Sequence, residues 1–143
     1  MAVTIQQVGT GATFLAKGDS GHWVAMDGNA QVGGSDAAAR PMELVLFGLG
    51  GCTAMDVVSI LNKMKVPLED FHIAIESERA ETHPKVYTKI EMTYHFYGND
   101  LPLEKLERAV HLSEKTYCSV SAMLSKTVDI SVKIENHNTA VGV

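Results

Sequence analysis

The stretch that constrains this chain most is residues 41–66, its longest apolar run. Between Met42 and Leu61 the only formal charges are Glu43 and Asp56. Apolar residues fall all round a helical wheel, the pattern of a buried helix and not of a surface one. Pro41 suits the first helical position, where its missing N–H costs nothing. Lys63 and Lys65 suit the negative end of the helix dipole. The run is long enough to cross a bilayer. Two acids and the cluster Gly48, Gly50, Gly51 argue against a lipid surrounding. The glycines admit close approach by another backbone or side chain and weaken the helix, so a bend is expected just before Cys52. Cys52 thus sits mid-helix among apolar and small residues, where a thiol either packs or reacts.

The chain of 143 residues has room for a single domain, residues 1–143, with a modest core. Residues 3–8, 12–16 and 22–26 read as a three-strand meander with glycine-bearing turns. Residues 27–36 read as a loop by composition. Beyond the long helix, residues 71–79 and 86–97 alternate as strands with one buried face. Residues 103–116 form an amphipathic helix with Leu103, Leu106, Val110 and Leu112 facing inward. A second short helix over 117–124 and a strand over 128–134 follow, and the tail from Glu135 is expected to fray. This order predicts an α+β fold, an antiparallel sheet with its helices segregated on one face and a long buried central helix. One small sheet cannot cover so apolar a helix, which predicts a homodimer with these helices near the two-fold axis.

The net charge of −5, without a basic cluster, speaks against nucleic acid and anionic membranes as partners. The first residues lack a basic segment followed by an apolar one, so a cytoplasmic location is expected. There the two cysteines are free thiols or a redox pair and not a structural bridge. They are too few for a cysteine-based zinc site. The histidines at 22, 72, 83, 95, 111 and 137 show no metal spacing, so no metal and no cofactor are expected. Tyr87, Tyr94, Phe96 and Tyr97 read as sheet packing.

Cys52 and Cys118 are the residues that can carry chemistry. Each begins or interrupts a helix, and each precedes a hydroxyl residue, Thr53 or Ser119. A helix start lowers a thiol pKa at Cys118. If the two meet, Cys52 can be oxidised to a sulfenic acid and Cys118 can resolve it as a disulfide. Alternatively, both are buried small hydrophobes.

Pro41 and Glu43 ahead of Cys52 on an apolar helix, with Tyr117-Cys118-Ser119 opening a later helix, resemble the OsmC/Ohr family of thiol peroxidases. Residues 41–46, 50–61 and 117–120 are most similar to its YhfA-like branch. The resemblance spans nearly the whole chain. It implies an intertwined homodimer with a six-stranded sheet per half and two interfacial sites. It implies that Cys52 attacks an organic hydroperoxide, that Cys118 resolves, and that a dithiol reductant such as a lipoylated protein restores the pair. An arginine from the N-terminal strands and a glutamate near the helix start, here Glu43, would activate the thiolate.

The sequence departs from that pattern in two places. Residues 1–39 contain no arginine; Lys17 and His22 are the cationic candidates there, and Arg40 precedes the helix. Glu43 follows the proline by two positions instead of one, which puts it roughly half a turn out of phase with Cys52 on a straight helix. Asp56, one turn beyond Cys52, shares its face, and a carboxylate there raises a thiol pKa. A second reading is therefore open: a dimeric small-ligand-binding protein, or a thiol sensor, on the same fold.

Overall fold

The computed structural model describes residues 1–138. It divides into two compact units, Met1–Phe47 and Gly48 onward.

The first unit is the expected meander. Strands β1 (Thr4–Gln7), β2 (Thr13–Lys17) and β3 (Trp23–Asp27) pair antiparallel in that order. Asp27 organises the loop that follows. Its buried carboxylate accepts N–H bonds from Gly28, Ser35 and Ala37. These donors, Ala37's foremost, hold its pKa below the usual carboxylate value. Val3, Ile5, Val8, Trp23 and Val24 stay exposed, so within one chain this sheet lacks a closed core.

Helix α1 (Pro41–Lys63) starts in the first unit and continues through the second. It runs without interruption across Gly48, Gly50 and Gly51. The expectation of a helix buried all round is corrected. Leu49, Thr53, Val57 and Leu61 form one buried stripe at a spacing of four, while Phe47 and Met55 stay 60% and 72% exposed. Gly50 marks a close approach, since a Cβ there would lie 3.0 Å from Ile75 Cδ1. The helix ends in a Schellman motif: Val66 N–H donates to Leu61 O and Lys65 N–H to Asn62 O. Lys65 occupies the left-handed position, with φ 55°, that glycine fills at lower cost.

The rest of the second unit is a sheet with helices. Strands β4 (Asp70–Arg79) and β5 (Tyr87–Gly98) pair antiparallel, with Phe71 opposite Phe96 and Ile73 opposite Tyr94. Helix α2 (Leu103–Leu112), a π-turn (Ser113–Tyr117) and helix α3 (Ser119–Leu124) lead to β6 (Asp129–Asn138). The expected wholly antiparallel sheet is corrected here, because β6 runs parallel to β5. The helical segment between them is a connection long enough to return the chain in the same direction. β6 also outlasts its expected end. Glu135 pairs with His95, and the ladder reaches His137 opposite Tyr97 and Asn138 opposite Gly98. Ile90, Met92, Tyr94 and Phe96 point into the core with Leu106, Ala109 and Val110 of α2. By alternation, His95 and Tyr97 point to the other face.

Candidate functional site

Cys52 and Cys118 come together in the second unit. Their Sγ atoms and a carboxylate oxygen of Asp56 all lie within 4.8 Å of one another. Both cysteines are free thiols; Cys118 is buried and Cys52 half-buried.

The local chain geometry that delivers Cys118 is unusual. The π-turn closes with Cys118 N–H donating to Ser113 O at 2.8 Å. Such turns recur at functional sites because they re-aim the residue that follows. Cys118 then caps α3, and its Sγ accepts the Ser121 N–H at 3.3 Å. Buried Ser113 also donates its hydroxyl to Asp56 Oδ2 at 3.1 Å. One residue thus ties the backbone of Cys118 to the carboxylate one turn beyond Cys52. Thr53 holds the other side. Its Oγ1 donates to Leu49 O at 2.7 Å and stands 3.5 Å from Cys118 Sγ. With the threonine proton committed to Leu49, the Cys118 S–H is the donor in that second contact.

The electrostatics favour a protonated Cys52. Burial pushes its thiol up, and Cys118 and the Asp56 charge push it further; the Val120 backbone opposes them. Tyr94 lies on the same side of the sheet. Its ring packs on Phe71 and Phe96, and its hydroxyl is buried without a hydrogen bond among the described residues. Burial foremost, and then the charges of Glu114 and Cys118, push that phenol up. Glu114, on the π-turn, is itself raised by burial. Beside Asp56 a groove of about 360 Å³ opens between Ser59, Ile60, Lys63, Met64, Leu112 and Tyr117.

Glu43 belongs to the first unit. Its carboxylate accepts the Arg40 N–H at 2.7 Å, the side chain-to-backbone half of a capping box. Arg40 donates to the carbonyls of Asp27 and Ala38 and pairs with Asp36. Lys17 lies over the Trp23 ring, 5.3 Å from its centre.

The family profile of OsmC-like proteins matches residues 33–133, most of the chain. The chain belongs to the OsmC family. It is 44% identical over 125 residues to protein YhfA of Escherichia coli strain K12, covering 87% of this chain and 90% of that one. A solved structure of a hypothetical protein from Aquifex aeolicus is 33% identical, with a TM-score of 0.81 over 94% of each chain. An organic hydroperoxide resistance protein OsmC from Legionella pneumophila shares the fold at 18% identity. Its TM-score is 0.69 over 94% of this chain and 95% of that one.

Ser113 and the Tyr94 hydroxyl escaped the sequence reading of this OsmC-family site. Ser113 follows Leu106, Ala109 and Val110 on the inward stripe of α2, so a hydroxyl on a buried stripe was the available signal. Tyr94 gave no signal beyond alternation, because its ring does pack the sheet as expected. The histidines gave none either. His95 Nδ1 and His137 Nε2 face each other at 3.0 Å, with Glu135 beside them.

Proposed function

We propose that this OsmC-family protein reduces organic hydroperoxides through Cys52, with Cys118 as resolving thiol. The observation that carries this reading is the approach of both sulfurs to within 4.8 Å of each other. The Cys52 thiolate attacks the distal peroxide oxygen and the O–O bond breaks. The alkoxide takes a proton and leaves as the alcohol, and Cys52 becomes a sulfenic acid. Cys118 sulfur then attacks Cys52 sulfur; hydroxide leaves with the Cys118 proton as water, and a disulfide forms. A dithiol of the lipoyl type returns two electrons and two protons. The apolar groove beside Asp56 suits the alkyl part of the peroxide. Glu43, out of phase with Cys52 on an uninterrupted α1, would orient the peroxide from across the dimer, and residues 1–143 work as one domain in the cytoplasm.

The working form in this reading is a homodimer. Phe47, Met55 and Tyr117, 57% exposed, are apolar surface left uncovered by a single chain. A second copy of α1 and of the first sheet would cover such surface. Sedimentation at micromolar concentration reads one species at twice the chain mass.

The raised Cys52 pKa has a kinetic consequence. Oxidation needs the thiolate, so its rate climbs with pH beyond the ordinary thiol value of 9.0. The same fact favours a second reading, a binding or sensing protein whose Cys52 stays protonated near neutrality. Stopped-flow mixing of reduced protein with cumene hydroperoxide separates the two. Thiol loss faster than that of a free model thiol at equal thiolate concentration, and absent in Cys52→Ser, supports the peroxidase. Loss no faster than the model thiol supports the binding protein.

A further inference from the structure

We propose that the outer face of the second sheet carries a site for a borderline divalent cation, zinc being the probe, held by His95, His137 and Glu135. The three residues are scattered in sequence, and strand register assembles them. His95 on β5 is directly opposite Glu135 on β6, and His137 follows two residues later on the same face. One donor atom from each lies within 4.8 Å of the other two.

The imidazoles are already placed as ligands. His95 Nδ1 and His137 Nε2 stand 3.0 Å apart. Two nitrogens each about 2.0–2.1 Å from zinc stand roughly 2.9 Å apart at right angles and roughly 3.4 Å apart at the tetrahedral angle. The observed spacing therefore lies within the range a shared cation needs. Without a cation, one proton fills the gap and one ring donates to the other. A cation takes that place when both rings carry their proton on the distal nitrogen, so no net proton leaves the pair. Stacking holds both rings: His72 lies on His95 at 4.5 Å between ring centres and Tyr97 on His137 at 4.5 Å. Such support lowers the ordering cost of binding.

The donor set and the surrounding charge select the ligand. Two imidazoles and a carboxylate suit zinc, nickel or copper and disfavour magnesium and calcium, which take oxygen ligands. Glu135 is shared with Lys133 at 3.5 Å, a contact between half-exposed groups that costs little to give up. On the same face, four residues along β5 from His95, a hollow is lined by Glu76, Glu78 and Glu91 with Lys89, which adds a long-range attraction for cations that salt screens. Three protein ligands leave positions open to water, which makes this an accessible site and not a closed structural one.

The test uses the full chain carrying Cys52→Ser and Cys118→Ser, because Cys52, Asp56 and Cys118 form a second donor group that would also take zinc. Calorimetric titration with zinc should give one ion per chain. His95→Ala or His137→Ala should weaken binding at least about a hundredfold and Glu135→Gln about tenfold, while His22→Ala changes nothing. Nitrogen-15 spectra of the imidazoles in the parent protein read the site without any histidine variant. The His95 Nδ1 and His137 Nε2 signals should move with zinc occupancy. Saturation that leaves both nitrogens unmoved, binding that survives both histidine variants, or no saturable binding below millimolar zinc overturns the proposal.

Discussion

The two faces of the second sheet differ by one residue along β5. Tyr94 points inward beside Thr53 and Cys118; His95 points outward to His137 and Glu135. The inner site is made by helices. Its groups come from α1 and the N-cap of α3, fixed by Ser113 and Thr53, with Cys118 buried and Cys52 and Asp56 half-buried. The outer site is made by register alone and stays half-exposed. Burial therefore governs the inner chemistry, where it raises the Cys52 thiol, and donor geometry governs the outer one.

Substitution on each face separates them. Cys52→Ser should abolish peroxide-dependent thiol loss, a fall of several orders of magnitude to background, while His95→Ala leaves that rate within about twofold. A large loss in His95→Ala would mean that the faces are coupled through β5. The next effect is on pH dependence. Because the Asp56 charge raises the Cys52 pKa, Asp56→Asn should lower it, moving the alkylation profile of Cys52 with iodoacetamide toward neutral pH. The Asp56 contribution is the smallest of those that raise Cys52, so the gain in thiolate at a fixed lower pH is small beside the effect of Cys52→Ser. An upward move would show that the carboxylate serves the thiol in another way. Asparagine keeps an acceptor for Ser113, so the variant tests charge and not the hydrogen bond.

Smaller effects concern stability. Tyr94→Phe removes a buried hydroxyl that has no hydrogen-bond partner among the described residues, so urea unfolding should show a gain between zero and about 1 kcal/mol. A loss above that size would reveal a partner contributed by a bound molecule or a second copy of the chain. Lys65→Gly should add roughly 0.5–1 kcal/mol, since glycine takes the left-handed position at the end of α1 without steric cost. Unchanged stability there would mean that Lys65 makes a compensating contact.

These sites were unequally legible in the sequence. Cys52 and Cys118 were visible as rare residue types at helix positions, and the family pattern linked them. The meander, β4, β5 and α2 followed from period two and period 3.6. The direction of β6 was not legible, because period two is the same in either direction and the crossover alone permits both. Its polar end read as tail, since Glu135 and His137 face outward and bury little; hydrogen bonds to β5 hold that segment. The missed outer site follows from the same error. The all-round apolar pattern of α1 also misled for a single chain, where four residues at a spacing of four suffice to pack it. Phe47 and Met55 then keep the apolar surface that motivates a second copy.

The central claim is that Cys52 and Cys118 react as a pair. Peptide mass spectrometry after one equivalent of cumene hydroperoxide, added to reduced protein at alkaline pH, tests it most directly. The account predicts a linkage between the peptides containing Cys52 and Cys118, and in Cys118→Ser a trappable sulfenic acid at Cys52 instead. Cys52 carried on to sulfinic acid in the parent protein, with Cys118 still reduced, would contradict it.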